Sequence, residues 1–190
     1  MERSILYVYI IVFVYPLHPT MKEHAMKHTP HTAIEHSNIG ISLEGRTTSC
    51  TLLNTLLADE FVLLTQTLNY HWNLVGPEFH DYHLLFDKQY KQIFEYIDEI
   101  AERVRSLGGQ AIGSLRGMLT ATTLEEDQTS PTPKVMITRL LAQHEAIIRL
   151  LRVAINTTAE GNSDMGTSNF LTELIEKHEK TAWMLRSLAQ

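Results

Sequence analysis

The pattern of apolar positions divides the chain at about Thr47. After it, apolar side chains return at helical spacing in four long stretches, and none alternates as a strand would. The first runs through Leu53, Leu57, Leu64, Leu68 and His71, widened by Leu56 and Phe61, and stops at Gly76-Pro77. The second is the most regular. Phe86, Tyr90, Ile93, Ile97, Ile100, Val104 and Leu107 step by 4, 3, 4, 3, 4, 3, the seam of a helix packed in a bundle. Gly108-Gly109 closes it as a helix C-terminus.

Residues 110–131 form a long connection with room for one short helix around Ser114 to Thr120. Thr132-Pro133 then opens a helix, with Thr as cap and Pro in the first turn. Its stripe is Ile137, Leu141, His144, Ile148, Leu151 and Ile155, broken at Gly161-Asn-Ser. A weaker fourth stripe holds Leu171, Leu174, His178, Thr181, Leu185 and Leu188. The expected fold is an all-α four-helix bundle with a long crossover. Residues 47–190 form the domain, and residues 1–46 a disordered, His-containing tail.

That tail holds an apolar run, Ile5 to Tyr15, too short to cross a bilayer as a helix, which needs roughly 20 residues. Three readings of it are ordered by preference. Translation starts at Met21 and the first 20 residues lie outside the native protein; the run is a weak secretion signal; or it is a surface anchor. No membrane partner is expected.

Composition narrows the function classes. The net charge is −6 with His neutral, so the chain has no global attraction for nucleic-acid phosphates. Cys50 is the only cysteine, which excludes an intrachain disulfide and fits a cytoplasmic protein.

Candidate chemistry lies on the first two helices. His83 and Asp87 are one turn apart on the second helix, and Asp98 and Glu102 repeat that relation eleven residues on. Eleven residues at ~1.5 Å each separate the pairs by roughly 16 Å along the axis. One metal centre cannot bridge that, because metal–ligand bonds are about 2 Å. Two copies of the helix, antiparallel about a two-fold axis, would set His83/Asp87 of one against Asp98/Glu102 of the other, giving two equivalent sites. His71 can add an imidazole. Two imidazoles and three carboxylates suit Fe(II) or Mn(II) better than a thiophilic ion. The plainer reading is a solvated acidic face paired to Arg103 and Arg105. His80, His144 and His178 lack ligand-spaced partners and read as boundary or surface residues. Glu160 and Asp164 read as a solvated loop, or alternatively as the lining of an iron entry pore.

Three segments carry a family resemblance. YHWNLVGPEFHDYHLLFDKQY over residues 70–90 resembles the first signature of the Dps (miniferritin) family, and DEIAERVRSLGG over 98–109 its second. HEKTAWMLR over 178–186 is similar to the family's last helix. The resemblance covers about Leu53 to the C-terminus. It implies a ferritin-like subunit with a short helix in the crossover, assembled as a homododecamer with a ferroxidase site between subunits. On this chain His71, His83 and Asp87 would come from one subunit and Asp98 and Glu102 from its partner. The implied activity, that of an oxidoreductase acting on metal ions, is oxidation of Fe(II), preferably by hydrogen peroxide, with Fe(III) stored in the cavity as protection against oxidative stress. Trp72 would lie near the iron and intercept stray oxidising equivalents, or simply pack.

The alternative is a structural assembly that binds and protects DNA, located at the nucleoid, with little iron oxidation. Its usual device is a Lys/Arg-rich tail. Here Arg3, Lys22, Lys27 and Arg46 are cancelled by Glu2, Glu23, Glu35 and Glu44. His18, His24, His28, His31 and His36 would make the tail cationic only below about pH 6.5.

Overall fold

The computed structural model describes residues 37–190, so the apolar run, the tail histidines before position 37 and both candidate starts lie outside the described residues. Five α-helices follow in order: α1 Leu43–Asn73, α2 Phe79–Ser106, α3 Leu115–Ala121, α4 Pro133–Asn156 and α5 Met165–Leu188. There is no strand among the described residues. α1 packs chiefly on α2 and α4 chiefly on α5, and α1 also meets α3 and α4. The expected all-α bundle with a short helix in the crossover is what the chain forms.

α1 starts at Leu43, four residues before the change in composition. Ser42 fixes that start by accepting a hydrogen bond from the Gly45 backbone N–H at 3.0 Å. Arg46 lies buried and donates to the Leu107 carbonyl at 3.1 Å, tying the start of α1 to the end of α2. The α2 seam falls where its spacing predicts: Phe86, Ile93, Ile97, Ile100, Val104 and Leu107 are buried. Gly108 ends the helix at φ +84°, a left-handed conformation that glycine adopts without steric cost. Gly109 follows with its Cα against Cys50, and a Cβ there would meet Sγ at 2.5 Å.

α4 departs from its expected stripe. Leu140, Ile147 and Ala154 are buried, while Leu141, Ile148 and Ile155 are half-buried. The apolar side of α4 is two residues wide at each turn, and packing against α5 and α1 selects the earlier member of each pair. Thr132 occupies the cap position but its side chain makes no capping bond; Pro133 alone marks the start. A π-helical turn, Thr157–Gly161, takes the place of a clean break at Gly161. Asp164 belongs to no solvated loop. It is 1% exposed, caps α5 through the Thr167 N–H at 3.0 Å, and pairs with Arg103 at 3.0 Å. Glu160 does stay exposed.

α1 is buried on more than one side, because the crossover lies along the face that α2 leaves open. Polar side chains of α1 pin it there. Asn54 donates to the Gln110 carbonyl and accepts from the Ile112 N–H, both at 3.0 Å. Gln66 accepts from the Asp127 N–H at 2.9 Å, and the Tyr70 hydroxyl donates to Asp127 at 2.6 Å. Asp59, 0% exposed, accepts three bonds: Thr122 Oγ1 at 2.7 Å, Thr123 N–H at 2.6 Å and Thr123 Oγ1 at 2.8 Å.

Asp59→Ala leaves those three donors without their acceptor. Bonds to a charged group contribute about 1.5–3 kcal/mol each and overlap in one cluster, so a loss of about 3 kcal/mol is expected. The check is the urea midpoint of the variant beside wild type; coincident midpoints would show that Asp59 does not anchor the crossover.

Candidate metal centre

The turn from Leu74 to Glu78 is tight, with Gly76 at φ +135°, and it returns the chain so that the end of α1 lies beside the start of α2. This sets His71 against His83. Their rings stack 3.9 Å apart at 18°, and each ring is bonded to the other residue's backbone. His71 Nδ1 lies 3.2 Å from the His83 carbonyl oxygen, and His83 Nδ1 lies 3.1 Å from the His71 carbonyl oxygen. A carbonyl oxygen only accepts, so both Nδ1 atoms carry the hydrogen. In the neutral ring this tautomer leaves the Nε2 lone pair free, the form that binds a metal ion. Phe79 stacks on the outer side of His83 at 4.9 Å, and Tyr90 stands edge-on to His71 at 5.2 Å.

Asp87 lies one turn beyond His83. The Lys91 ammonium lies 2.7 Å from its Oδ2, and the Tyr90 hydroxyl donates to its Oδ1 at 2.9 Å. The hydrogen bonds from Lys91 first, and Tyr90 second, hold the Asp87 carboxyl below the usual carboxylate range. Asp87 therefore remains an anion in mildly acidic solution, and in this state both its oxygens are occupied.

Asp98 and Glu102 stand exposed toward the far end of α2. Arg103 does not neutralise them: it turns to α5, where it meets Asp164 and donates to Thr167 Oγ1 at 2.9 Å. Arg105 donates to the Gly109 carbonyl. The structure thus brings His71 and His83 together, sets Asp87 one turn on, and keeps Asp98 and Glu102 about three turns away. Within one chain, no group of three or more His, Cys, Asp or Glu side chains among the described residues is placed to hold a metal ion. Trp72 is 69% exposed beside His71, so packing within its own subunit does not account for it.

Comparison with known proteins now bears on this arrangement. The ferritin-like domain family matches residues 50–190. DNA protection during starvation protein 2 of Bacillus anthracis is 32% identical over 136 residues, spanning 72% of this chain and 92% of that protein. This chain belongs to the Dps family. A low temperature-induced protein of Nostoc is 45% identical over 154 residues, 80% of this chain and 86% of its own length. A Dps crystal structure from Vibrio cholerae, described as belonging to a broad superfamily of ferritin-like diiron-carboxylate proteins, superposes with a TM-score of 0.78 at 29% identity. That match covers 83% of this chain and 99% of the other.

Two parts of this Dps subunit escaped the sequence pattern. The mutual bonding of His71 and His83 needs the tight turn, which spacing alone does not give. His144 and His178, expected at the boundary or surface, are 2% and 0% exposed instead. The two rings satisfy each other at 2.9 Å within the bundle, which is why they can be buried.

Lys91→Ala removes the cation that occupies Asp87 Oδ2. Affinity for a divalent ion is expected to rise a few-fold, because the ammonium no longer competes for that oxygen. Calorimetric titration with Co(II) reads this, and an unchanged or weaker affinity would show that the ammonium does not compete.

Proposed function

We propose that this Dps protein is a ferroxidase and iron store. It would bind Fe(II) as substrate at dinuclear sites shared between two subunits, oxidise it preferably with hydrogen peroxide, and hold the Fe(III) inside a hollow dodecamer. Family membership supports the general part, iron storage and protection. The observation that carries the finer reading is the reciprocal His71–His83 bonding, which ties up both Nδ1 atoms and leaves two Nε2 atoms as donors near the Asp87 carboxylate.

The residues supply a donor set that fits iron. His71, His83 and Asp87 give two imidazoles and a carboxylate, and Asp98 and Glu102 of a partner subunit would add two more carboxylates. The distance between the two ends of α2 favours sharing between subunits over closure within one. Carboxylates stabilise Fe(III) more than Fe(II) by charge, which favours oxidation at the site. In the overall reaction two Fe(II) each give up one electron, and peroxide takes both as its O–O bond breaks to hydroxide. Taking the pair of electrons together avoids release of hydroxyl radical. Exposed Trp72, next to His71, would be the first oxidisable ring met by a stray equivalent.

Protection of DNA is the role named for the Bacillus anthracis relative. For this chain the charge of the tail, where acids and bases cancel, gives that role little support. None of the helices among the described residues is long and apolar enough to cross a membrane, and we place the protein in the cytoplasm.

The decisive experiment loads protein with Fe(II) anaerobically, adds hydrogen peroxide and follows ferric absorbance. Wild type is expected to oxidise the iron rapidly and stoichiometrically. An Asp98→Ala, Glu102→Ala double variant, checked by sizing to be assembled, is expected to lose that phase. A wild type no faster than buffer would overturn the ferroxidase; an assembled variant with full activity would overturn the shared site.

A further inference from the structure

Deep in the bundle three ionisable side chains from three helices meet, apart from the metal donors. Glu60 comes from α1, His144 from α4 and His178 from α5, exposed 0%, 2% and 0%. His178 sits between the others. Its Nε2 lies 2.8 Å from Glu60 Oε1, and its Nδ1 lies 2.9 Å from His144 Nδ1. The contact with Glu60 is at ion-pair distance, but the ring N–H is poorly aimed for a hydrogen bond; His144 Nε2 and both Glu60 oxygens lack hydrogen-bond partners of good geometry. α2 closes the fourth side with Tyr96, whose ring centre is 5.6 Å from that of His178. Burial first, then the negative charge of Glu60, Glu95 and Glu99, pushes the Tyr96 phenol up to about 12, so it stays neutral. The Lys177 ammonium on α5 lies on the Tyr96 ring, 4.9 Å from its centre.

Proton counting constrains this cluster. A buried carboxylate needs a counter-charge or a proton of its own. One proton held between Glu60 and His178 answers that need, and His178 then donates from Nδ1 to His144. The Nδ1–Nδ1 bond holds a single hydrogen, so one ring must accept. His144 is the acceptor and carries its own hydrogen on Nε2. A second proton has no place: it would set two N–H groups head to head at 2.9 Å and two cations in a dry core.

We propose that the Glu60–His178–His144 triad is a one-proton device that makes the bundle acid-sensitive, because a second proton on His144 breaks its bond to His178 and loosens α4 from α5. This inference is independent of the ferroxidase reading.

Burial first, and the neighbouring His178 second, hold the His144 imidazole well below its usual range. In the unfolded chain the same imidazole takes up its proton at about pH 6.5. Above that pH the contribution of neutral His144 to stability is fully present. Two imidazoles of the opened chain titrate at about pH 6.5 while the folded triad keeps one proton, so the triad is most stabilising near that pH, and below it stability is lost as pH falls, approaching tenfold in the opening equilibrium per pH unit.

Hydrogen–deuterium exchange of the full chain, read by mass spectrometry at pH 6.5 and 5.5 and corrected for intrinsic exchange, tests this. Wild-type peptides spanning 137–151 and 171–185 are expected to lose about threefold in protection between pH 6.5 and 5.5. In His144→Gln, whose amide oxygen can accept from His178 but does not titrate, the loss should vanish. His80→Gln, at an exposed position, should behave as wild type. Equal wild-type protection at both pH values would overturn the proposal without any variant. So would a His144→Gln loss as large as that of wild type.

Discussion

The antiparallel pairing of α1 with α2 is the constraint on which the rest depends. A helix of 31 residues and one of 28 are joined by five residues, so the last turn of α1 must lie beside the first turns of α2. That adjacency sets the stacked imidazoles. The length of α2 beyond it carries Asp98 and Glu102 away to the opposite end. The crossover has one long face of α1 left to cover, and it covers it with hydrogen bonds as much as with apolar surface.

Legibility in the sequence followed the sidedness of each helix. α2 has one buried side, so its seven-residue seam and its glycine stop could be read directly. α4 has a doubled apolar edge, and the pattern alone could not say which member of each pair faces inward. α1 was hardest. Asp59 and Glu60 are adjacent acids in the middle of an apolar helix, and both are 0% exposed. On a one-sided helix such a pair would be solvated. Here Asp59 faces the crossover and Glu60 faces the bundle interior, which is possible only because α1 is covered from both directions. Two charges at the centre of an otherwise apolar helix were the available signal.

The donor set of the candidate metal centre was legible in its residue types and in the separation of its two halves. What spacing could not supply was protonation. The tautomer of each imidazole is decided by a backbone carbonyl brought near by the turn, and the state of Asp87 by Lys91 and Tyr90 on its own helix. The buried histidines show the same principle with another outcome. Two imidazoles that read as surface residues enter the core because each satisfies a nitrogen of the other, with a carboxylate at hand to balance one charge.

The reciprocal bonds between His71 and His83 also shape how the pair responds to substitution. Each ring is oriented by the other residue's backbone and held by contact with the other ring, so neither is an independent donor. Removing one side chain takes away a stacking face but leaves the backbone carbonyl that holds the survivor's Nδ1. The stacking is the part the two positions share, and a double-mutant cycle across them will read that coupling. The two histidines thus lean on each other through their ring faces while each keeps its own backbone anchor and its own second aromatic neighbour.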